Sequence, residues 1–475
     1  MKKTLSILLI CIIVFSSIPA AVSAEETPEV PAIRVTTAAG NGNSLQKEDG
    51  YVDADISITD TDGSVLSDAV SFKVRGNSTA LPGIPKKAFT FKFAKKKEVL
   101  SIGKGKKWVL LANTYDPTLM RNYIAFELAH KLGLPYTADY KIIELWVDDV
   151  FKGCYLLSEP VQEGTGRVEI DIESNDGKKD FMLELEAQRD EPDVKYIKKE
   201  NIRFAISEPE EPDDEQVGYI GDTMQGIFDI LKTGDKEQIE SVLDLDSFVK
   251  FYIFNDFVKT LDLNYSSVYF FYKDGKLYAG PPWDYDLAFG NTNKENSYLG
   301  SQANKPTGIY ALKKNIFAFL TKLSWFNELA RGCMSENFEL FADITREGGV
   351  IDTFLADYQN VIHRNYKNTG LNPGRFYITV MMRPYATYDE NLDFLRDWCE
   401  KRRMWMADYY GVDLPNGDIN LDLSVNIKDA TLLQKFLADI VTLNSQNKGV
   451  SDVNKDGKIN ISDATAIQKS IANLN

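Results

Sequence analysis

Histidine is nearly absent from this chain, and cysteine is scarce. The 475 residues include two histidines and four cysteines, and neither type recurs at the spacing of zinc ligands. No Gly-x-Ser-x-Gly motif marks a serine nucleophile. Cys11 lies in the N-terminal apolar run, so Cys154, Cys333 and Cys399 can form at most one disulfide. These shortages disfavour zinc enzymes and serine hydrolases, and they indicate that disulfides do not hold this fold together.

Long hydrophobic runs are missing after the N-terminus. A basic start precedes the apolar run Leu5–Ile18, and Val22-Ser23-Ala24 offers a small-residue cleavage site. This order predicts a secretory signal peptide at 1–24, which an N-terminal leader at 25–49 would follow. No later run reaches membrane-spanning length. We therefore expect a secreted, extracellular protein without membrane insertion.

Positive charge is also in short supply. The chain has 54 Lys and Arg residues against 70 Asp and Glu residues, a formal net charge of −16. Removal of the signal peptide takes away Lys2 and Lys3 and no acidic residue, which lowers the net charge to about −18. This excess of negative charge argues against nucleic acid or an anionic surface as the main partner.

The last sixty residues contain one acidic pattern twice, thirty-four residues apart. In each copy, oxygen-bearing side chains stand at positions 1, 3, 5, 9 and 12 of a calcium loop, where they converge on a hard cation. The first copy consists of Asp418, Asn420, Asp422, Asn426 and Asp429, and the second of Asp452, Asn454, Asp456, Asn460 and Asp463. The sequence therefore predicts two Ca²⁺ sites.

Each loop leads into a short apolar helix, and the repeated segment 416–475 resembles a dockerin. The resemblance implies an all-α pair of EF-hand-like loops and a cohesin module of a scaffolding protein as partner. The first loop has Leu423 where the second has Gly457. A bulky side chain strains the turn at that position, so we expect weaker calcium binding at the first site. A linker at 411–415 would join this module to the body.

The body, at 50–410, changes character near residue 215. Before that point, alternating apolar residues predict strands, a hairpin at 142–157 and one helix that opens at Asp116-Pro117. Beyond it, apolar periodicity predicts helices, interrupted by one hairpin at 268–279. The predicted helices are Ile220–Leu231, Lys236–Leu261, Leu312–Leu329, Val350–His363 and Asn391–Tyr410. A strand-rich part followed by a helical part is the layout of a bilobal α+β protein-kinase-like fold.

Several motifs of the body resemble those of the CotH family of spore-coat-protein-H-like atypical kinases. They are, in chain order, Arg75-Gly76-Asn77-Ser78, Pro85-Lys86-Lys87, Leu119-Met120-Arg121-Asn122, Asp262 and Trp283-Asp284-Tyr285-Asp286. The resemblance runs from about residue 50 to residue 405. It implies an ATP- and Mg²⁺-dependent transfer of phosphate to a protein hydroxyl, and it does not identify the acceptor protein.

The order of carboxylates around the second hairpin fits phosphoryl transfer. Asp262 precedes the hairpin and Asp284 follows it, 22 residues later. In protein kinases the catalytic Asp and a metal-binding Asp flank a hairpin in this order. We therefore predict Asp262 as the catalytic residue and Asp284 as a magnesium ligand. Asp286, two residues on, is the second candidate for that ligand.

The phosphate-binding cation should come from the strand-rich part. Lys87 stands at the head of the predicted strand 89–93, where a kinase carries its phosphate-binding lysine. Glu127, on the only helix predicted there, would pair with that lysine. Arg75 and Arg121 are further candidates for phosphate contact.

Other features of the sequence leave alternatives open. Ser266-Ser267 stands where the family tends to carry an Asn as second metal ligand, and no His-Arg-Asp triplet precedes Asp262. A catalytically inactive relative is therefore one alternative. Glu159, Glu184 or Glu186 paired with Asp284 would instead give a glycoside hydrolase. In a third alternative, the body is a binding or structural module that grips sugars with Trp146, Trp283 and Tyr285.

Overall fold

A computed structural model describes residues 27–173, 179–187, 189–293, 302–310, 315–375, 381–382, 384–443 and 445–473. The signal peptide predicted at 1–24 lies outside the described residues. Within them, no helix has both the length and the apolar character needed to cross a bilayer.

The first seven strands close into a barrel. They are β1 (Ala32–Thr37), β2 (Val52–Thr59), β3 (Val65–Arg75), β4 (Ala88–Glu98), β5 (Lys104–Leu111), β6 (Tyr140–Val147) and β7 (Val150–Ser158). Their order around the barrel is β1-β2-β3-β4-β5-β7-β6, and the parallel pairing of β1 with β6 closes it. Every second side chain of these strands points inward, and the interior holds Phe72, Phe91 and Trp108. β6 and β7 form the hairpin predicted at 142–157.

Five further strands form a second sheet. They are β8 (Phe181–Leu185), β9 (Tyr196–Lys199), β10 (Ile202–Glu208), β11 (Val268–Lys273) and β12 (Lys276–Ala279). The sheet order is β12-β11-β8-β10-β9, with antiparallel pairs throughout. The hairpin predicted at 268–279 is therefore confirmed, and it pairs with a strand from before residue 215.

The described residues also form twelve α-helices. They are α1 (Arg121–Leu132), α2 (Asp214–Thr233), α3 (Lys236–Val242), α4 (Leu245–Val258), α5 (Phe317–Leu320), α6 (Ser324–Glu336), α7 (Phe338–Asp343), α8 (Val350–Thr369), α9 (Tyr388–Tyr410), α10 (Ile427–Leu437), α11 (Ser445–Gly449) and α12 (Ile461–Ile471). The last three belong to the repeated C-terminal segment, in which α10 packs against α12.

Three helix predictions need correction. The helix predicted to open at Asp116-Pro117 begins at Arg121. The helix predicted at 236–261 is two helices, α3 and α4, because Leu243 is extended and the Asp244 side chain caps α4 by accepting the Ser247 N–H at 2.9 Å. The helix predicted at 312–329 lies partly outside the described residues, and the remainder is divided between α5 and α6.

The mixed α+β class is confirmed, but a division into two kinase-like lobes is not. The N-terminal strands form a closed barrel, and the second sheet combines strands from both sides of residue 215. β1 also falls within 25–49, so part of the expected leader is a barrel strand.

The end of α4 positions the candidate site. This helix is buried on nearly all faces, and a 3₁₀ turn at Leu261–Asn264 follows it before the chain enters β11. After β12 the chain returns to the same end of the hairpin at residues 280–287. The two segments that carry Asp262 and Asp284 therefore meet at one end of the second sheet, close to the barrel.

Candidate functional site

A polar pocket of about 310 Å³ lies between the barrel, the second sheet and the N-terminal end of α1. Three of the predicted carboxylates, Asp262, Asp284 and Asp286, line this pocket together with Arg75. Other residues that line it are Lys47, Asn77, Ser78, Thr79, Asn113, Tyr115, Asn122, Glu184, Arg189, Glu191, Ser267, Tyr269 and Trp283. The structure thus brings together residues that lie more than 200 positions apart in the sequence.

Asp262 has the electrostatic environment of a proton acceptor. Burial raises the pKa of its carboxyl to about 7, and repulsion from Asp284 acts in the same direction. The guanidinium of Arg189 opposes this shift. A carboxylate that titrates near neutral pH is suited to take a proton from a hydroxyl group.

Asp284 stands at a strained turn beside Asp262. Its φ of 66° is in the left-handed region, which Asp tolerates better than most residues. Burial raises the pKa of Asp284, while the guanidinium groups of Arg75 and Arg189 lower it. The Ser267 hydroxyl donates a long hydrogen bond of 3.5 Å to Asp284 Oδ2.

Asp286 is buried more deeply than Asp284. Burial raises its pKa well above the usual range, and the charges of Asp284 and Asp116 add to the effect. The intervening residue is fixed from α1, because Asn122 Oδ1 accepts the Tyr285 N–H at 2.8 Å. Asn122 Nδ2 in turn donates to Asn113 Oδ1 at 2.9 Å. The two carboxylates are therefore held on a backbone segment that α1 positions.

Arg75, at the end of β3, supplies a cation to the pocket. Its guanidinium lies 5.4 Å from the ring centroid of Trp283. Burial lowers its pKa, and the negative charge of Asp284 opposes this shift. Its position fits the predicted contact with phosphate.

Arg189 is a residue that the sequence reasoning missed. It follows β8 in the loop that borders the pocket, where its Nε lies 3.3 Å from Glu186 Oε2 and its Nη2 donates to Ser266 Oγ at 3.1 Å. The only sequence signal for it is the i, i+3 spacing from Glu186, which is too common to single out a site residue.

The three glutamates of the alternative glycosidase prediction, Glu159, Glu184 and Glu186, have different surroundings. Glu184 lines the pocket and accepts from the Tyr269 hydroxyl at 3.0 Å and from the Ser267 N–H at 3.1 Å, and burial raises its pKa. Glu186 pairs with Arg189. Glu159 forms a buried ion pair with Arg167 at 2.9 Å and does not line the pocket.

Lys87 and Glu127 are not brought to the pocket. The Lys87 amine donates to the Leu45 carbonyl at 3.2 Å and to Gln46 Oε1 at 2.6 Å. Glu127 accepts the Tyr140 hydroxyl instead of pairing with Lys87. The amine of the neighbouring Lys86 is buried and donates to the Cys154 carbonyl and to Asn365 Oδ1.

Arg121 is also directed away from the pocket. Its side chain is fully buried, where it pairs with Asp116 and donates from Nε to the Ala288 carbonyl at 3.1 Å. These bonds tie the start of α1 to the segment that follows Asp286. Arg121 therefore supports the site from behind.

The predicted magnesium ligands fit a cation that takes few protein ligands. Among the described residues, no three His, Cys, Asp or Glu side chains form a metal site by themselves, so a cation bound anywhere in this part of the chain also needs amide, backbone, phosphate or water oxygens. Mg²⁺ commonly takes one or two carboxylates and completes its shell with phosphate oxygens and water. Asp284 and Asp286 could supply that number of carboxylates. The nearby amide of Asn264 does not line the pocket and accepts from Asn315 at 3.4 Å.

Both C-terminal loops fold as the calcium pattern predicts. In the first loop, the carboxylate of Asp418 accepts the N–H groups of Asp422 and Leu423 at 3.0 and 2.8 Å. In the second, the carboxylate of Asp452 accepts those of Asp456 and Gly457 at the same two distances. The two loops therefore have one backbone conformation.

The position-12 carboxylates close the two loops in the same way. Asp429 accepts the backbone N–H groups of Asn420 and Asn426, and burial raises its pKa. Asp463 accepts that of Asn460 at 2.8 Å. Two loops of carboxylate and amide oxygens, each with a left-handed residue at position 6, fit the oxygen-rich coordination of Ca²⁺.

Comparisons with known protein families find a match for each of the two parts of the chain. The chain matches the family described as CotH kinase protein over residues 72–406, more than half of its length, and the Dockerin type I domain over residues 416–472. No curated protein matches the chain. Dockerin domains bind calcium and cohesin modules, and they mark components of extracellular, cellulosome-type assemblies. The chain therefore belongs to the CotH kinase protein family and carries a type I dockerin domain at its C-terminal end.

Proposed function

We propose that the body is a kinase that transfers the terminal phosphoryl group of ATP to a serine or threonine hydroxyl of another protein. The observation that carries this proposal is the pocket in which Asp262, Asp284 and Arg75 meet. Phosphoryl transfer needs a carboxylate near the attacking hydroxyl, carboxylates for magnesium and a cation near the phosphates. These three residues provide one group of each kind.

Asp262 orients the acceptor hydroxyl and takes its proton. The pKa of about 7 lets the ionised form predominate just above neutral pH while the carboxylate remains a competent base. The proton leaves the hydroxyl oxygen as that oxygen bonds to phosphorus, and ADP departs with the bridging oxygen. Asp262 thus acts on the acceptor and not on the nucleotide.

Arg75 and Arg189 bind the phosphate groups from two sides of the pocket. Arg75 is fixed beside the ring of Trp283, and Arg189 is held by Glu186 and Ser266. Guanidinium groups match the geometry of phosphate oxygens and stay charged at any working pH. In this proposal they take the role that a kinase lysine has, since Lys87 lies outside the pocket.

Asp284 and Asp286 would hold Mg²⁺, which neutralises charge on the phosphates when it is bound. Asn122 holds their backbone segment at the pocket through Tyr285. The ion would also relieve the repulsion that raises the pKa of Asp286.

We further propose that a signal peptide at 1–24 exports the chain and that the dockerin then anchors it to a scaffold. In this arrangement 50–410 is the kinase body, 411–415 the linker and 416–475 the dockerin. The acceptor would be a protein of the same assembly, which the cohesin brings to high local concentration.

The proposal is tested with the purified full chain and ATP labelled at the γ-phosphate. Mg²⁺-dependent label should appear on proteins of a cohesin-bearing assembly, and Asp262→Asn should abolish it. Release of reducing sugar from plant polysaccharide, lost in Glu184→Gln, would favour the glycosidase instead. Binding to insoluble glycans with neither activity would favour a structural module.

A second candidate function, nucleotide binding without transfer, has one observation in its favour. Ser267 stands at the pocket where a kinase carries a metal-binding amide, and its hydroxyl donates a long hydrogen bond of 3.5 Å to Asp284. A pocket that lacks this second metal ligand would bind Mg-ATP but would not transfer its phosphoryl group. A thermal shift with Mg-ATP but no label transfer would identify this function.

A further inference from the structure

The two calcium loops of the dockerin share the same side-chain ligand positions but differ in their surroundings. Leu421, at position 4 of the first loop, is fully buried, whereas Lys455 at the same position of the second loop is exposed. Leu423, at position 6, is half-buried, whereas Gly457 is exposed. The difference arises because the first loop lies against the body.

α9 provides the main contact with the first loop. The Arg403 guanidinium is buried, donates to the Leu421 carbonyl and lies 5.5 Å from the ring centroid of Phe338. Met404, the next residue of α9, packs in the apolar core of the dockerin. The end of α9 is therefore shared between the body and the dockerin.

The bulky residue at position 6 contributes to this contact. Leu423 has a φ of 66°, close to the 81° of Gly457, so the leucine accepts backbone strain that glycine would avoid. Its side chain packs against the apolar core of the body, as does Leu414 of the linker. Such a contact gives a reason for a leucine at a position where the calcium pattern requires glycine.

A surface ion pair borders the same contact. Lys428, at the start of α10, pairs with Glu347 of the body. Among the described residues of the second loop and α12, no hydrogen bond or ion pair reaches the body. The polar contacts seen between the two parts thus come from the first repeat, whereas Met404 of α9 shares an apolar cluster with both repeats.

From these contacts we propose that the first calcium loop docks the dockerin onto the body, and that the second repeat is the half left open for the cohesin. Calcium in the first loop fixes the carbonyl of Leu421 and the side chain of Leu423 in the positions that Arg403 and the body core require. The scaffold partner then meets a rigidly oriented module instead of one on a free tether.

Protease cleavage of the linker 411–415 in the full chain tests docking. With saturating calcium the linker should be cut at least tenfold more slowly than in chelator, because Val412 and Leu414 are half-buried and pack against the apolar core of the body. Leu423→Gly should bring the cutting rate in calcium to within about twofold of the rate in chelator. Equal rates in wild type and Leu423→Gly would overturn the proposal.

Matched variants at position 5 separate the two loops. Asp422→Ala removes a ligand from the first loop and should expose the linker, while Asp456→Ala does the same in the second loop and should leave it covered. Both variants would expose the linker if either substitution unfolds the whole module, and a loss of helical circular dichroism would reveal such unfolding. In that case the comparison of wild type with Leu423→Gly decides. A covered linker in both variants would contradict the proposal.

A cohesin module that binds the purified chain tests the second half of the proposal. Its addition to the wild-type chain should leave linker cleavage unchanged, since the first repeat stays on the body. Leu423→Gly should still bind it with an affinity within about threefold of wild type, which is less than 1 kcal/mol. Cohesin-induced exposure of the linker would show that the first repeat is the cohesin-facing half.

Discussion

The side-chain oxygen of Asn122 accepts a 2.8 Å hydrogen bond from the backbone N–H of Tyr285, and through it α1 holds the segment that carries Asp284 and Asp286. Both partners are buried, so loss of the acceptor leaves an unsatisfied amide in the protein interior. The metal-binding carboxylates of the proposed kinase therefore depend on a residue of another element.

Asn122→Ala should weaken the site without removing any charge from it. We expect a loss of about 1–3 kcal/mol in the free energy of unfolding, the usual cost of one unsatisfied buried group. The thermal shift produced by Mg-ATP should fall as well, because Asp284 and Asp286 are less well held. Asn368→Ala, at an exposed position of α8, is the control and should change neither quantity. A variant that melts early yet keeps the full Mg-ATP shift would contradict this role.

Asp262→Asn should abolish transfer and preserve nucleotide binding. The loss of a general base typically costs about 10²–10⁴ in rate. Because the ionised carboxylate is the active form and its pKa is about 7, transfer by the wild type should rise with pH through neutrality and then level off. Initial rates between pH 5.5 and 8.5 measure this profile. A flat profile would argue against Asp262 as the base.

The raised pKa of Asp262 also affects the stability of the folded protein. The pKa of Asp262 is raised in the folded state, so the folded protein binds more protons than the unfolded chain between its ordinary pKa of 3.8 and about 7. Stability from this group is present at low pH and is lost as the pH rises through 7. The wild type should therefore lose stability relative to Asp262→Asn over that range in denaturant titrations. Parallel curves for the two proteins would mean that Asp262 is ionised throughout.

Arg75→Ala and Lys87→Ala separate two sources of phosphate binding. Arg75 lines the pocket beside Asp284, so its loss should weaken Mg-ATP binding by about tenfold or more, the effect of a charge-assisted hydrogen bond. Lys87 is bonded to Leu45 and Gln46 outside the pocket, and its loss should change binding less than twofold. Isothermal titration with Mg-ATP makes the comparison. A large effect of Lys87→Ala alone would restore the lysine of the sequence prediction.

How far the sequence predicted these sites depends on how local the determining residues are. The calcium loops could be predicted residue by residue, because all ligands of one site fall within twelve positions. The meeting of Asp262 and Asp284 could also be predicted, because a short hairpin joins them. A hairpin fixes both of its ends regardless of the rest of the fold.

The remaining features depend on contacts between distant segments. The barrel is closed by the pairing of β1 with β6, more than a hundred residues apart, and no local pattern announces that pairing. Which of the two lysines is buried depends on the orientation of the chain where it enters β4, and the buried one is Lys86. Arg189 reaches the pocket because β8 pairs with β11 across the predicted division of the body.

Calcium should fold the C-terminal module, since the carboxylates that bind the ion also bond the backbone of both loops. The full chain should lose helical circular dichroism in chelator and regain it on titration with calcium. Asp456→Ala removes a ligand and should abolish cohesin binding with little effect on phosphate transfer by the body. Lys458→Ala, at position 7 of the same loop, is the control, because that position binds calcium through its backbone carbonyl and the substitution removes no ligand. Cohesin binding that persists in chelator would contradict a calcium-dependent module.

The contribution of Lys86 to stability depends on pH differently from that of Asp262. Its amine is buried against the ring of Tyr155 at 4.5 Å and is bonded to the Cys154 carbonyl and, at 3.1 Å, to Asn365 Oδ1 of α8. No described carboxylate pairs with it, and burial lowers its pKa to about 8. The folded protein therefore holds fewer protons than the unfolded chain between about pH 8 and 10.5.

Stability from Lys86 should consequently rise as the pH increases through that window, the opposite direction to Asp262. Lys86→Met keeps roughly the length of the side chain and removes its titratable amine. The unfolding free energy of this variant should therefore vary with pH only through the remaining titratable groups. The difference between wild type and variant should grow in favour of the wild type by an amount on the order of a few kcal/mol from pH 8 to 10.5. Lys87→Met, at the neighbouring half-exposed position, is the control and should leave the pH profile unchanged. If both variants follow the wild-type profile, the pKa of the Lys86 amine is the same in the folded and the unfolded protein, and the link that it forms between the barrel and α8 is weaker than its three contacts indicate.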